Sequence, residues 1–144
     1  MMPELSDLSA GIDLVSVARI EGMLARWGER FLRRVYTDGE IAYCLSKAFP
    51  ARSFAARFAA KEAFFKAVSA RRDGAIAHKH IEVVVDAGGR PAIKPYGSAE
   101  RALGSRASSL SISHEMDFAI AVVVTSAARG ASPRAAGTNP EALL

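Results

Sequence analysis

Residues 54–70, FAARFAAKEAFFKAVSA, constrain this chain more than any other stretch. They include no Gly or Pro and many good helix formers, so they predict a helix. Pro50 stands just upstream and sets a boundary, since a helix is not easily continued through it. At about 100° per residue, Phe54, Phe58 and Phe65 share one face. Ala56, Ala60, Ala63, Ala67 and Ala70 fall on nearly the opposite face. One side is bulky and apolar, and the other is small enough for a close neighbour. A helix apolar on two sides belongs in a core. Yet this one carries Arg57, Lys61, Glu62 and Lys66. Buried charges cost free energy unless they are paired, hydrogen-bonded or metal-bound. Two readings follow. Either Glu62 and Lys66 form an ordinary i,i+4 pair while Arg57 and Lys61 reach out to water, or the four mark a site.

The rest of the chain bounds what that site can be. Its 144 residues fit one domain, small enough that oligomerisation would help it. The net charge of +4 favours acidic partners: nucleic acid, phosphorylated ligands or an acidic protein. A single cysteine, Cys44, excludes an intrachain disulfide. It lies between Ile41 and Leu45 in an apolar helical pattern and reads as core. The N-terminus has no apolar run of signal length, and nothing approaches the roughly 20 apolar residues of a spanning helix. The expectation is a soluble cytoplasmic protein.

In order, residues 1–9 read as a flexible lead-in, and residues 10–15, AGIDLV, as a short buried strand holding Asp13. An acid inside an apolar strand either caps the next helix or serves a site. Ser16 is a natural N-cap for a helix with its apolar stripe at Ile20, Met23, Leu24, Trp27 and Phe31. Arg19, Arg26, Arg30, Arg33 and Arg34 make its surface basic, and Gly28 allows a break. Thr37 and Glu40 form a capping box opening a helix to about Ala48. After the central helix, residues 71–79 read as a loop. Residues 81–86 and 92–96 pair across the turn AGGRP, with Pro95 demanding an edge or an early end. A short helix at 98–103 closes at Gly104. Two strong strands, 108–113 and 118–125, are joined as a hairpin by HEMD. Residues 127–144, rich in Ala, Gly, Ser and Pro, read as a disordered tail, leaving one domain over 10–126. Helices first and an antiparallel sheet later indicate α+β.

Three stretches stand out together: GID at 11–13, RFAAKEAFFKA at 57–67 and SISH at 111–114. Asp13 and Glu62 are carboxylates from separate elements. Such a pair can hold Mg²⁺, which prefers oxygen ligands and keeps waters and substrate phosphates as the others. Lys66, one turn beyond Glu62, and His114 could each reach a phosphate oxygen.

These motifs, in this order, resemble the holo-acyl-carrier-protein synthases, the small bacterial type of 4′-phosphopantetheinyl transferase. The G-x-D and R-F-A-A-K-E-A-x-x-K-A motifs stand as written, with Arg19 six residues after Asp13 and an S-x-[ST]-H strand end. The likeness runs from about residue 10 to residue 125. It implies a long central helix packed on an antiparallel sheet. It implies transfer of phosphopantetheine from coenzyme A to a serine of an apo acyl carrier protein, releasing adenosine 3′,5′-bisphosphate. By the same resemblance Asp13, Glu62 and Lys66 are catalytic, and Asp13 and Glu62 hold Mg²⁺. Glu62 takes the serine proton directly or through water, or the serine's own surroundings supply the base. Lys66 and His114 bind the diphosphate, Arg57 and Lys61 the other phosphate of coenzyme A. Arg19 and Arg26 meet an acidic helix of the carrier protein. The family forms trimers with each site between subunits.

One departure matters. The family's glycine-rich turn after K-A is replaced by residues 68–74, VSARRDG. Arg71 or Arg72 either contacts the nucleotide in its place or lies on a solvent-facing loop. Two other functions stay open: a coenzyme A-binding protein without catalysis, and a basic nucleic-acid-binding module. The latter lacks any recognised motif or aromatic platform. Whether the carrier protein serves fatty-acid or polyketide synthesis is not written in the chain.

Overall fold

A nine-residue strand, β1 (Leu8–Ser16), opens the fold in this computed structural model, which describes residues 7–69 and 74–127. Four helices follow: α1 (Val17–Trp27), α2 (Glu29–Val35), α3 (Asp38–Leu45) and α4 (Pro50–Val68). A 3-10 turn (His78–His80) leads into β2 (Ile81–Val85) and β3 (Pro91–Pro95), then α5 (Gly97–Leu103), β4 (Ala107–His114) and β5 (Phe118–Ser126). The architecture is the expected α+β, with one antiparallel sheet in the order β1-β5-β4 and a two-stranded sheet β2-β3.

Local signals explain most boundaries. Ser16 caps α1 by accepting the Arg19 N–H, and Gly28, at φ +51°, separates α1 from α2. The Thr37–Glu40 capping box forms in both directions at the start of α3. Three elements have a boundary that differs from expectation by two residues or more. The central helix begins at Pro50, not 54, because proline is at home in a first turn whose N–H groups have no helical partner. The strand expected from residue 10 begins at Leu8, which pairs with Ser126 at the far end of β5. The α3 helix stops at Leu45, short of Ala48. The expected tail and the two arginines at 71 and 72 lie outside the described residues, save Ala127.

Helix α4 is the centre of the core. Its small side faces the sheet, where Ala59, Ala60, Ala63 and Ala67 are buried with Ala119, Ala121 and Val123 of β5. Gly11 sets the distance. A Cβ there would lie 2.0 Å from the Ala63 carbonyl oxygen and 2.6 Å from the Ala67 nitrogen, so only glycine lets β1 lie on the helix backbone. The other side carries a chain of rings. Phe54 packs on Tyr36 at 4.9 Å, Tyr36 on Phe31 at 5.8 Å, and Phe31 on Phe58 at 6.5 Å. The Tyr36 hydroxyl donates to the Phe54 carbonyl at 2.8 Å. The sheet's outer face is different. Ile12, Leu14 and Phe118 are more than half exposed on it, beside the small serines of β4.

Candidate functional site

Gly11, Asp13 and Val15 alternate onto the face of β1 that meets α4. With the strand drawn in at Gly11, the Asp13 carboxylate comes against the last turns of the helix. Lys66 Nζ donates to Asp13 Oδ1 at 3.2 Å and to the Ile12 carbonyl at 2.9 Å. Asp13 is largely covered and Lys66 is half exposed, so the pair sits at the mouth of the strand–helix seam.

Glu62 lies one turn before Lys66 but does not pair with it. Its Oε1 is 2.9 Å from His78 Nε2, a residue of the 3-10 turn. The ordinary i,i+4 pair is therefore not what holds these charges. The His78 ring stacks on Phe58 at 5.8 Å and meets Phe65 edge-on at 4.9 Å. The Arg19 guanidinium lies over Phe58 at 5.5 Å. Arg19, Phe58, His78 and Glu62 thus form one continuous strip, with Lys66 and Asp13 next along α4.

Lys61 is placed elsewhere than expected. Its side chain is 0% exposed, and the ammonium donates to Glu40 Oε1 at 2.8 Å, the His78 carbonyl at 3.0 Å and the Ile81 carbonyl at 2.6 Å. Three donors meet three acceptors, which leaves none for a phosphate. Burial lowers its pKa below the usual 10.5, with Glu40 opposing that shift.

Arg57 fits an anion better. It is 7% exposed, its guanidinium sits 4.1 Å over the Tyr43 ring, and its buried Nε has no hydrogen-bond partner among the described residues. Arg57 also lines a cavity, and a charged side chain with an unpartnered donor is a candidate to hold a charged acceptor. That cavity, about 250 Å³, is lined by Tyr43, Ser53, Arg57, Gly89, Ile112 and His114 among others. So Arg57 and His114 line one cavity, a different pairing from the one the resemblance implies, which sets His114 with Lys66 and Arg57 with Lys61. They are not brought to Asp13, Glu62 and Lys66. Five residues along a helix put Arg57 about 140° around α4 from Glu62.

Arg26 is exposed on α1, its guanidinium 5.0 Å from the Trp27 ring, with Arg30 at 5.9 Å. Seven residues separate Arg19 from Arg26, close to two turns, so they share a face of α1. Beside them runs a groove of about 450 Å³ lined by Met23, Trp27, Arg30, Phe31, Arg34 and Phe58 among others. It is apolar at its floor and basic at its rim.

Two carboxylates fit a hard cation only in part. No group of three His, Cys, Asp or Glu side chains able to hold a metal stands among the described residues. Asp13 and Glu62 would supply two oxygen ligands, and water and a substrate's phosphate oxygens the rest, which is the ordinary arrangement for Mg²⁺. Sequence reasoning missed His78, which sits in a stretch read only as polar loop, and gave Glu40 a capping role alone. No local pattern marks either, because both act through contacts many residues away along the chain.

A family model described as the 4′-phosphopantetheinyl transferase superfamily matches residues 9–123. The chain belongs to this superfamily. Among phosphopantetheinyl transferases it is 45% identical over 120 residues to a holo-[acyl-carrier-protein] synthase of Koribacter versatilis, covering 81% of this chain and 96% of the relative. It is 47% identical over 117 residues to the synthase of Halothermothrix orenii, covering 79% and 93%. Two solved transferase structures share the fold. One is the Chronobacterium ammoniagenes ACPS-CoA complex, with TM-score 0.72, 29% identity, and 85% and 98% of the two chains covered. The other is the Helicobacter pylori holo-[acyl-carrier-protein] synthase in complex with coenzyme A, with TM-score 0.71, 36% identity, and 81% and 99% covered. Within this superfamily member, then, the seam at Asp13 and the cavity at Arg57 are the two places to look for substrate chemistry.

Proposed function

We propose that this protein transfers the 4′-phosphopantetheine group of coenzyme A to a serine of an apo acyl carrier protein. The serine oxygen forms a bond to the pantetheine-side phosphorus. The bond from that phosphorus to the bridging oxygen breaks, and adenosine 3′,5′-bisphosphate leaves. The observation that carries this reading is the Asp13–Lys66 contact, held by Gly11 against the helix turn that bears Glu62. Asp13 and Glu62 are the residues that would hold Mg²⁺, which when bound offsets the charge of a diphosphate. Lys66 spends two donors on Ile12 and Asp13 and keeps the third for a diphosphate oxygen. Glu62 receives the serine proton, directly or through a water. Arg57, with its orphaned Nε, and His114 bind phosphate in their shared cavity.

The separation of these two groups around α4 favours a site completed by a second copy of the chain, in a homotrimer. The exposed Ile12, Leu14 and Phe118 give such a copy an apolar face to cover. Arg19 and Arg26 face the carrier protein's acidic helix, where charge speeds encounter. No helix among the described residues is long and apolar enough to cross a membrane, consistent with work in the cytoplasm.

The test is mass spectrometry of an apo carrier protein incubated with coenzyme A, Mg²⁺ and the enzyme. The expected result is a gain of one phosphopantetheine, abolished in Asp13→Ala and in Glu62→Ala with the fold intact. Binding of coenzyme A without any gain in mass would leave a binding protein and no transferase. Sedimentation of the active species as one chain would remove the trimer.

A further inference from the structure

Lys61 and Glu62 are neighbours on α4, and both hold the same residue. The buried Lys61 ammonium donates to the His78 carbonyl at 3.0 Å, and Glu62 Oε1 meets the His78 ring nitrogen at 2.9 Å. The ring is fixed on two sides as well, stacked on Phe58 and edge-on to Phe65. The ammonium itself cannot easily leave. Glu40 compensates its charge at 2.8 Å while accepting the Thr37 N–H at 3.0 Å and the Val83 N–H at 3.1 Å. His78 is thus clamped at its backbone and at its ring.

Glu62 has the opposite character. Its side chain is 31% exposed and has several rotatable bonds, so a free carboxylate would spread over many rotamers. One hydrogen bond from an immobilised ring selects among them. We propose that His78 is a positioning residue for Glu62, and that the buried Lys61–Glu40 pair acts on the site through it. The inference rests on the reading of Glu62 as a ligand and proton acceptor. Hydrogen-bond partners of metal-binding side chains typically change metal affinity by about 10–100-fold.

The experiment uses the full chain, Mn²⁺ as a spectroscopic probe, and two substitutions. His78→Phe keeps the aromatic packing and removes the hydrogen bond. His78→Gln returns an N–H near the place of Nε2. Electron paramagnetic resonance titration gives the Mn²⁺ affinity, and carrier-protein assays give kcat and KM. His78→Phe should bind Mn²⁺ about 10–100-fold more weakly with reduced kcat, and His78→Gln should recover most of both. If His78→Phe does not fold, His78→Leu makes the same comparison with His78→Gln. A packing role alone predicts the reverse order, with the aromatic variant less affected than glutamine, and that result overturns the proposal. So does a His78→Phe protein with wild-type Mn²⁺ affinity and kcat. Asp13→Ala separates the two levels. If it loses Mn²⁺ while His78→Phe does not, only the positioning role fails. If the wild type neither binds Mn²⁺ nor transfers, the reading of Glu62 fails and the positioning role with it.

Discussion

Replacing Lys61 by methionine should be strongly destabilising. The side chains have similar length, so the perturbation is the loss of one charge and three donors. Glu40, 2% exposed, would be left as a buried carboxylate with only the Thr37 and Val83 N–H groups beside it. The His78 and Ile81 carbonyls would lose the donor now at 3.0 and 2.6 Å. Breaking a buried pair on one side typically costs about 3–5 kcal/mol. The carbonyl losses are part of that figure and not additional to it. A loss of this size is a large share of the roughly 5–15 kcal/mol that holds an ordinary domain together. Removing the second charge should reverse much of it, because a neutral replacement of a buried pair is often close to neutral in stability. Lys61→Met/Glu40→Gln should therefore be more stable than Lys61→Met, by about 2 kcal/mol or more. Urea unfolding followed by circular dichroism gives both values from the midpoints at constant slope. A single variant that loses under about 1 kcal/mol, or a double variant no better than the single, would refute the reasoning.

Gly11→Ala should push β1 off the helix, since its Cβ would meet the Ala63 carbonyl at 2.0 Å. A stability loss of about 1–3 kcal/mol is expected in urea, with a fall in transfer rate that persists at temperatures where the variant is fully folded. Arg19→Glu should weaken carrier-protein docking more than coenzyme A binding, and the wild-type rate should fall as salt rises. Unchanged carrier-protein kinetics at low salt would count against it. Burial pushes the Cys44 thiol from 9.0 up to about 11, so the unfolded chain loses that proton first. The associated stability is whole below about pH 9 and declines towards pH 11, by up to about 3 kcal/mol. Cys44→Ala should flatten that part of the stability–pH curve, while the decline from buried Tyr36, whose pKa is raised above 10.0, remains.

Much of this is legible in the sequence alone. The composition of residues 54–70 marks a buried helix whatever surrounds it, and the capping signals at Ser16 and Thr37 are local chemistry. Asp13 stands out because an acid inside an apolar strand is unusual, and Gly11 through the G-x-D motif of the family the chain resembles. What the sequence left open is direction. Arg57, Lys61, Glu62 and Lys66 are equally polar letters, yet Lys61 is fully enclosed and Lys66 half exposed. The difference lies in partners 21 residues away for Lys61 and 53 away for Lys66. Glu40 shows the same limit. Its box with Thr37 is visible locally, but Oε1 also serves an ammonium that no spacing rule announces.

The helix period explains why these charges fall into two surroundings. Arg57 and Lys61 are four residues apart, as are Glu62 and Lys66, so each pair sits within about 40° on the helix surface. Between Lys61 and Glu62 the surface turns by about 100°. The first pair therefore meets α3 and β2, through Tyr43, Glu40 and Ile81. The second meets β1 and the turn at His78. A single adjacent step, from Lys61 to Glu62, crosses from a sealed interior to an open seam. That step lets one residue hold the loop from inside while the next faces the surface, and His78 is the contact they share. It also means that one copy of α4 cannot aim Arg57 and Glu62 at the same phosphate chain unless that chain wraps around the helix. Two copies, each offering a different side, remove that constraint.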